Sequence, residues 1–119
     1  MLLGWERMQK EQRLRRKGDF SLVYAQGQTW ANRFLVVKAR PTEATVSRLG
    51  FSVGKRLGGA VVRNRIRRWL REVARRSPVA PGWDVVVIAR RGVNEGGYVQ
   101  IRRSMEELLR RGGLWSESG

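Results

Sequence analysis

A chain of 119 residues with 41% hydrophobic content can bury one compact domain around a single core. Its 25 Lys and Arg against 10 Asp and Glu leave a formal charge of +15, which points to a polyanionic partner, nucleic acid foremost. Cys and His are absent, which excludes disulfides, Cys- or His-based metal sites and Ser-His or Cys-His catalysis, and no D-x-D type cluster offers two-metal phosphoryl chemistry.

With lysine only at positions 10, 17, 38 and 55, 21 of the 25 cations are arginine. The guanidinium fork suits bidentate phosphate contacts, although a GC-rich coding sequence would produce the same excess. Residues 1–12 read as a flexible basic arm. Their short apolar start gives way to charge without the apolar stretch of a signal peptide, and Met8 is a second candidate start. The longest apolar run, Val85 to Ala89, is far below the roughly 20 residues of a spanning helix. A cytoplasmic protein with no membrane association is expected.

Asp19 is placed to cap a short helix that Gly27 stops, and Phe20, Val23 and Tyr24 share one face of it at i, i+3 and i+4. Such a stripe serves either as core or, beside a cleft, as a stacking platform for unpaired bases. Residues 29–40 read as extended, with Phe34, Val36 and Lys38 on one side and Leu35, Val37 and Ala39 on the other, and with a short strand around residues 28–31 before them. Turn-forming residues 41–47 then predict a hairpin, with residues 48–55 as the returning strand. Leu49, Phe51 and Val53 form its apolar face, whereas Arg48, Gly50, Ser52 and Gly54 leave the other nearly bare. Gly50 fits either an open ligand face or close backbone packing.

After Gly58 and Gly59, Val62, Ile66, Trp69, Leu70 and Val73 recur at helical spacing. Asn64, Arg67, Arg68, Arg71 and Arg75 gather on the opposite side, flanked by Arg63 and Arg65. Only Glu72 interrupts the positive charge, so intrahelical pairs cannot account for most of it. A Pro- and Gly-containing turn over residues 77–83 precedes a strand over 84–90, whose VVVIA centre lacks alternation and so predicts burial on both faces. A loop over 91–97 leads to a last helix carrying Ile101, Met105, Leu108 and Leu109, stopped by Gly112 and Gly113. Glu106 and Glu107 fall on its solvated face. Residues 112–119 read as a frayed tail behind a domain spanning 13–111.

The stretches RLRRKGDFSLVYAQG, ANRFLVVKAR, RLGFSVGKRLGGAVVRNRIRRWLRE and DVVVIAR, in that order, resemble the protein subunit of bacterial ribonuclease P. The most specific part is Arg63-Asn64-Arg65, preceded by the strand end Ser52-Val53-Gly54-Lys55-Arg56. The resemblance implies an α+β domain with about four mostly antiparallel strands, three helices and a left-handed βαβ crossover, similar to ribosomal RNA-binding domains. It also implies partnership with a catalytic RNA that, with Mg2+, hydrolyses a phosphodiester to remove the 5′ leader of precursor tRNA, and no obligate protein partner. By position, Arg63, Asn64, Arg65, Arg67, Arg68 and Arg71 would face the RNA subunit. Phe20, Tyr24, Val36, Lys38, Ser52, Lys55 and Arg56 would form the leader cleft, with Lys38 where relatives often carry an aromatic residue. No catalytic or metal-binding side chain is expected. The alternatives are an RNA-binding assembly protein of ribosomal type and, disfavoured by composition, a self-sufficient nuclease.

Overall fold

A strand with a continuous apolar centre must be covered on both faces, and the computed structural model, which describes residues 12–116, is built around one such strand. Successive elements are α1 (Lys17–Gln26), β1 (Gln28–Ala31), β2 (Leu35–Pro41), β3 (Arg48–Ser52), α2 (Ala60–Arg76), β4 (Trp83–Ala89) and α3 (Val93–Arg111). A single 3-10 turn, Lys55–Leu57, lies between β3 and α2. The sheet order is β1-β2-β4-β3, with β4 antiparallel to β2 and parallel to β3.

Two expectations change here. The extended run 29–40 is a hairpin rather than one strand. Asn32 turns the chain, its Oδ1 accepting from the amides of Phe34 (3.0 Å) and Leu35 (2.9 Å). Conversely, β2 and β3 do not pair with each other, because β4 inserts between them. Alternation in β2 and β3 specifies which side chains face the core but not which strand is the neighbour. A β2–β3 hairpin would have left β4, with its apolar centre, on an edge with unpaired backbone.

On one sheet face Leu35, Val37, Ala39, Leu49, Val85 and Val87 meet Ile66, Leu70 and Val73 of α2 and Ile101, Met105, Leu108 and Leu109 of α3. Among the described residues the opposite face carries only α1 and the segment before it, with Leu14, Val23 and Val86 buried beneath Phe20 and Ile88. The sheet is thus heavily covered on one side and lightly covered on the other.

Asp19 is not the N-cap. Helix α1 starts two residues earlier, Arg16 holds the cap position, and the Asp19 carboxylate pairs with Arg48 (3.3 Å). Its competitor for Arg48 is Asp84, 3% exposed, which accepts from Arg48 Nε (2.9 Å) and an Arg48 terminal nitrogen (2.7 Å), with Arg40 at 3.8 Å. Hydrogen bonding to Asp84 raises the Arg48 pKa above its ordinary value against the opposing effect of burial. Arg40, Asp84 and Arg48 are register partners across β2, β4 and β3, so this row clamps three strands and α1.

The tail also differs from expectation. Gly112 and Gly113 end α3, with Gly113 at φ 74, where glycine is favoured. Leu114 is nevertheless fully buried, and the backbone of 114–116 bonds to Pro78 and Ala80, joined by a bridge between Val79 and Trp115. Residues 1–11 of the expected arm and 117–119 lie outside the described residues. Within α3, Gly97 (φ 70) interrupts the helix, so the expected loop over 91–97 contains one helical turn before the main helix.

The clamp predicts unequal charge deletions. Asp84→Asn should lower unfolding stability by about 2–3 kcal/mol, since it strands two partly covered guanidiniums. Deleting Glu95, whose pair with Arg33 is more than two-thirds exposed on both sides, should change it by about 0–1 kcal/mol. Urea denaturation of both variants checks the contrast.

Candidate nucleic-acid interface

Register places the side chains of the lightly covered face in rows. Val36 pairs with Ile88, and Ile88 with Ser52, giving a row Val36–Ile88–Ser52 across β2, β4 and β3. The next row is Lys38–Val86–Gly50, and the third is the Arg40–Asp84–Arg48 clamp. Helix α1 covers the second and third rows. The first row is left half-buried at the open end of the sheet.

Phe20 and Tyr24 stand on α1 one turn apart, ring centres 6.5 Å apart and tilted by 43°. Phe20 is partly buried against Val86, whereas Tyr24 is 43% exposed. A side chain at Gly50 would collide with Phe20, because a Cβ at that position would fall 2.5 Å from Phe20 Cζ. Gly50 is therefore close packing, and its missing side chain is the seat of the Phe20 ring. Lys38 projects from the second row and donates to Thr29 Oγ1 (2.9 Å), so β1 holds its ammonium in place.

Beyond the first row, where the parallel strands β3 and β4 both end, a cleft of about 620 Å³ is lined by Ser52, Gly54, Lys55, Arg56, Ile88, Arg90 and Arg91 among others. Lys55, Arg56, Arg90 and Arg91 are exposed. Arg90 reaches back to donate to the Asn32 carbonyl (2.9 Å). All seven residues expected at the cleft thus lie on this face or at its end. Ile88, Arg90 and Arg91 were missed, because only the β2-β4-β3 order reveals that the end of β4 shares a mouth with the end of β3.

Helix α2 presents the second surface. Its only acid, Glu72, accepts from Arg75 (2.7 Å) and Arg76, and those hydrogen bonds, Arg75 first, hold its carboxyl below its ordinary range despite some burial. The cations near the helix C-terminus are thereby neutralised, while those of the N-terminal half keep no acidic partner among the described residues. Arg63 donates to the Gly58 carbonyl (3.1 Å), Arg67 to Asn64 (3.2 Å), and Arg65 lies 5.3 Å above the Trp69 ring. Asn64, Arg65 and Arg68 are exposed; Arg63, Arg67 and Arg71 are half-buried. Burial, then the proximity of Arg67 and Arg13, lowers the Arg71 pKa from its ordinary value.

Most carboxylates are spoken for: Asp19, Glu72, Asp84, Glu95, Glu106 and Glu107 each pair with arginine. Among the described residues no group of three or more His, Cys, Asp or Glu could hold a metal ion. No described helix is long and apolar enough to cross a membrane.

The family model described as Ribonuclease P matches residues 8–113. The chain belongs to the ribonuclease P protein family. It is similar to the ribonuclease P protein component of Roseiflexus castenholzii, 44% identical over 110 residues covering 90% of both chains. Its fold resembles the solved structure of the Staphylococcus aureus RNase P protein, with a TM-score of 0.80 at 35% identity over 88% of this chain and 98% of that one. The RNase P protein from Thermotoga maritima is similar, with a TM-score of 0.77 at 35% identity over 83% and 96%. As a ribonuclease P protein component, the chain is assigned to tRNA processing and RNA binding rather than to the ribosomal-type assembly role.

The seat at Gly50 supplies a test. Gly50→Ala should destabilise the protein by about 1–3 kcal/mol through overpacking and displace Phe20. Thermal denaturation measures the loss, and pairing Gly50→Ala with Phe20→Leu should recover part of it; additive losses would show that the two side chains do not meet.

Proposed function

We propose that this ribonuclease P protein component binds the single-stranded 5′ leader of precursor tRNA across the lightly covered face of its sheet, while the arginine face of α2 grips the catalytic RNA subunit. The observation that carries the reading is the path from Phe20 and Tyr24 along Val36, Ile88 and Ser52 to the four cations Lys55, Arg56, Arg90 and Arg91. Aromatic faces stack on any base and cations follow phosphates, so such a path holds strands of differing sequence. Backbone contacts by Lys38 and its neighbours position the strand without reading it.

Chemistry belongs to the RNA in this reading. Most of the described carboxylates are engaged by arginines, and the described residues form no metal cluster, so they do not fit Mg2+, which this reading assigns to RNA phosphates. Arg63, Asn64, Arg65, Arg67, Arg68 and Arg71 would neutralise phosphates where leader and RNA subunit meet. Because leader contacts vanish with the leader, they favour precursor over product and reduce the Mg2+ needed for hydrolysis. The partners are ribonuclease P RNA and precursor tRNA, in the cytoplasm, with no obligate protein partner.

Phe20→Ala should weaken holoenzyme binding of precursor tRNA by roughly 1–3 kcal/mol and leave mature tRNA binding unchanged. With about 5 leader phosphates neutralised, the leader-dependent part of log K should fall with log salt at a slope of about −3.5. Equilibrium binding of precursor and mature tRNA across a salt series checks both. Equal losses for the two tRNAs, or a leader-dependent slope near zero, would defeat the reading.

A further inference from the structure

The 3-10 turn Lys55–Leu57 carries two of the four cations at the open end of the sheet, yet its own backbone does little to fix its tilt. Two hydrogen bonds close it, Leu57 N donating to Gly54 O (3.1 Å) and Gly58 N to Lys55 O (3.2 Å), and glycines flank it at positions 54, 58 and 59. A turn this short between glycines tilts easily. Its side chains also push on their surroundings, because the cleft lining brings Lys55 and Arg56 together with Arg90 and Arg91 from the end of β4 and includes no acid. Like charges gathered in that space favour a wider mouth.

What holds the turn comes from the core and from two helices. Leu57 is buried in the main core, α2 contributes Arg63 Nε donating to Gly58 O (3.1 Å), and α3 contributes Asn94 Nδ2 donating to Leu57 O (2.9 Å). The turn of α3 that carries Asn94 follows directly on Arg90 and Arg91 and is fastened beside them, with Val93 fully buried and Val93 N donating to Arg90 O (3.0 Å). Asn94 therefore ties together the two segments that line the cleft, although it stands outside that lining itself. Gly97, at φ 70, lets this first turn depart from the axis of the helix behind it. A neutral amide makes the tie without setting a negative charge beside the cations.

We infer that Asn94 is a positioning residue for substrate binding: its hydrogen bond to Leu57 O sets the spacing of Lys55 and Arg56 from Arg90 and Arg91, and through that spacing the affinity for precursor tRNA. This rests on the function proposed above. Asn94 acts through the cations it spaces and touches no substrate itself.

The test pairs amide hydrogen exchange of the full-length chain with steady-state cleavage of precursor tRNA by holoenzyme assembled with a bacterial ribonuclease P RNA. In Asn94→Ala, a change at an exposed position, the Leu57 and Gly58 amides should exchange about five-fold faster, the worth of one hydrogen bond, while those of Val86 and Val87 in β4 keep their protection. KM for precursor should rise about four-fold with kcat unchanged. A merely structural loss would instead lower the active fraction, and with it the maximal rate, at constant KM; that result would overturn the inference. Asn94→Leu, similar in size but without a donor, should match Asn94→Ala, and a wild-type KM in it would show that bulk rather than the hydrogen bond matters. Unchanged exchange at Leu57 and Gly58 in Asn94→Ala would equally sink the idea. Lys55→Gln/Arg56→Gln holoenzyme is measured in parallel. A raised KM there with a wild-type KM in Asn94→Ala defeats the positioning role alone, whereas an unchanged KM in both defeats the broader reading of the cleft.

Discussion

The strand Trp83–Ala89 requires partners on both edges and cover on both faces, and most of the molecule follows from meeting that requirement. With β2 on one edge and β3 on the other, the helix between β3 and β4 must cross the sheet, and α2 brings its arginines with it. Its apolar stripe of Ile66, Leu70 and Val73 packs on the heavily covered face alongside α3. The same strand order opens the other face, where, among the described residues, α1 and the segment before it leave the row Val36–Ile88–Ser52 half-buried. One constraint thus separates the arginine face of α2 from the lightly covered sheet face while keeping them within one small domain.

Charge is distributed with the same economy. A formal charge of +15 would destabilise a compact chain if spread evenly. Most of the described acids are instead spent on arginines: Asp84 and Asp19 on Arg48, Glu72 on Arg75 and Arg76, and Glu106 and Glu107 on Arg110 and Arg111. Among the described residues, the cations at the ends of β3 and β4 and in the first half of α2 pair with no acid, as is also true of Arg15, Arg16, Lys17, Lys38, Arg102 and Arg103. The first two groups lie where the proposed RNAs are placed.

Much of this was legible from the sequence. Helical spacing of Val62 through Val73 and the lack of alternation in VVVIA identified α2 and β4, because both signals are local and need no partner. Strand pairing is not local, and alternation in β2 and β3 fits a hairpin as well as it fits the observed order. That ambiguity hid Ile88, Arg90 and Arg91, whose place beside Ser52, Lys55 and Arg56 exists only through β4. Side-chain roles with two physical solutions were also undecidable: Asp19 could cap a helix or pair with Arg48, and Gly50 could open a face or seat a ring. Leu114 and Trp115, read as a frayed tail after two glycines, are held by Val79 and Ala80, a contact across a sequence gap that local composition cannot register.

The central claim is that the protein serves an RNA-dependent cleavage by holding RNA and carries no cleaving machinery itself. Purified protein incubated with precursor tRNA at low Mg2+, with and without a bacterial ribonuclease P RNA, tests it most directly. The account predicts leader removal only when protein and RNA subunit are both present; cleavage by the protein alone would contradict it.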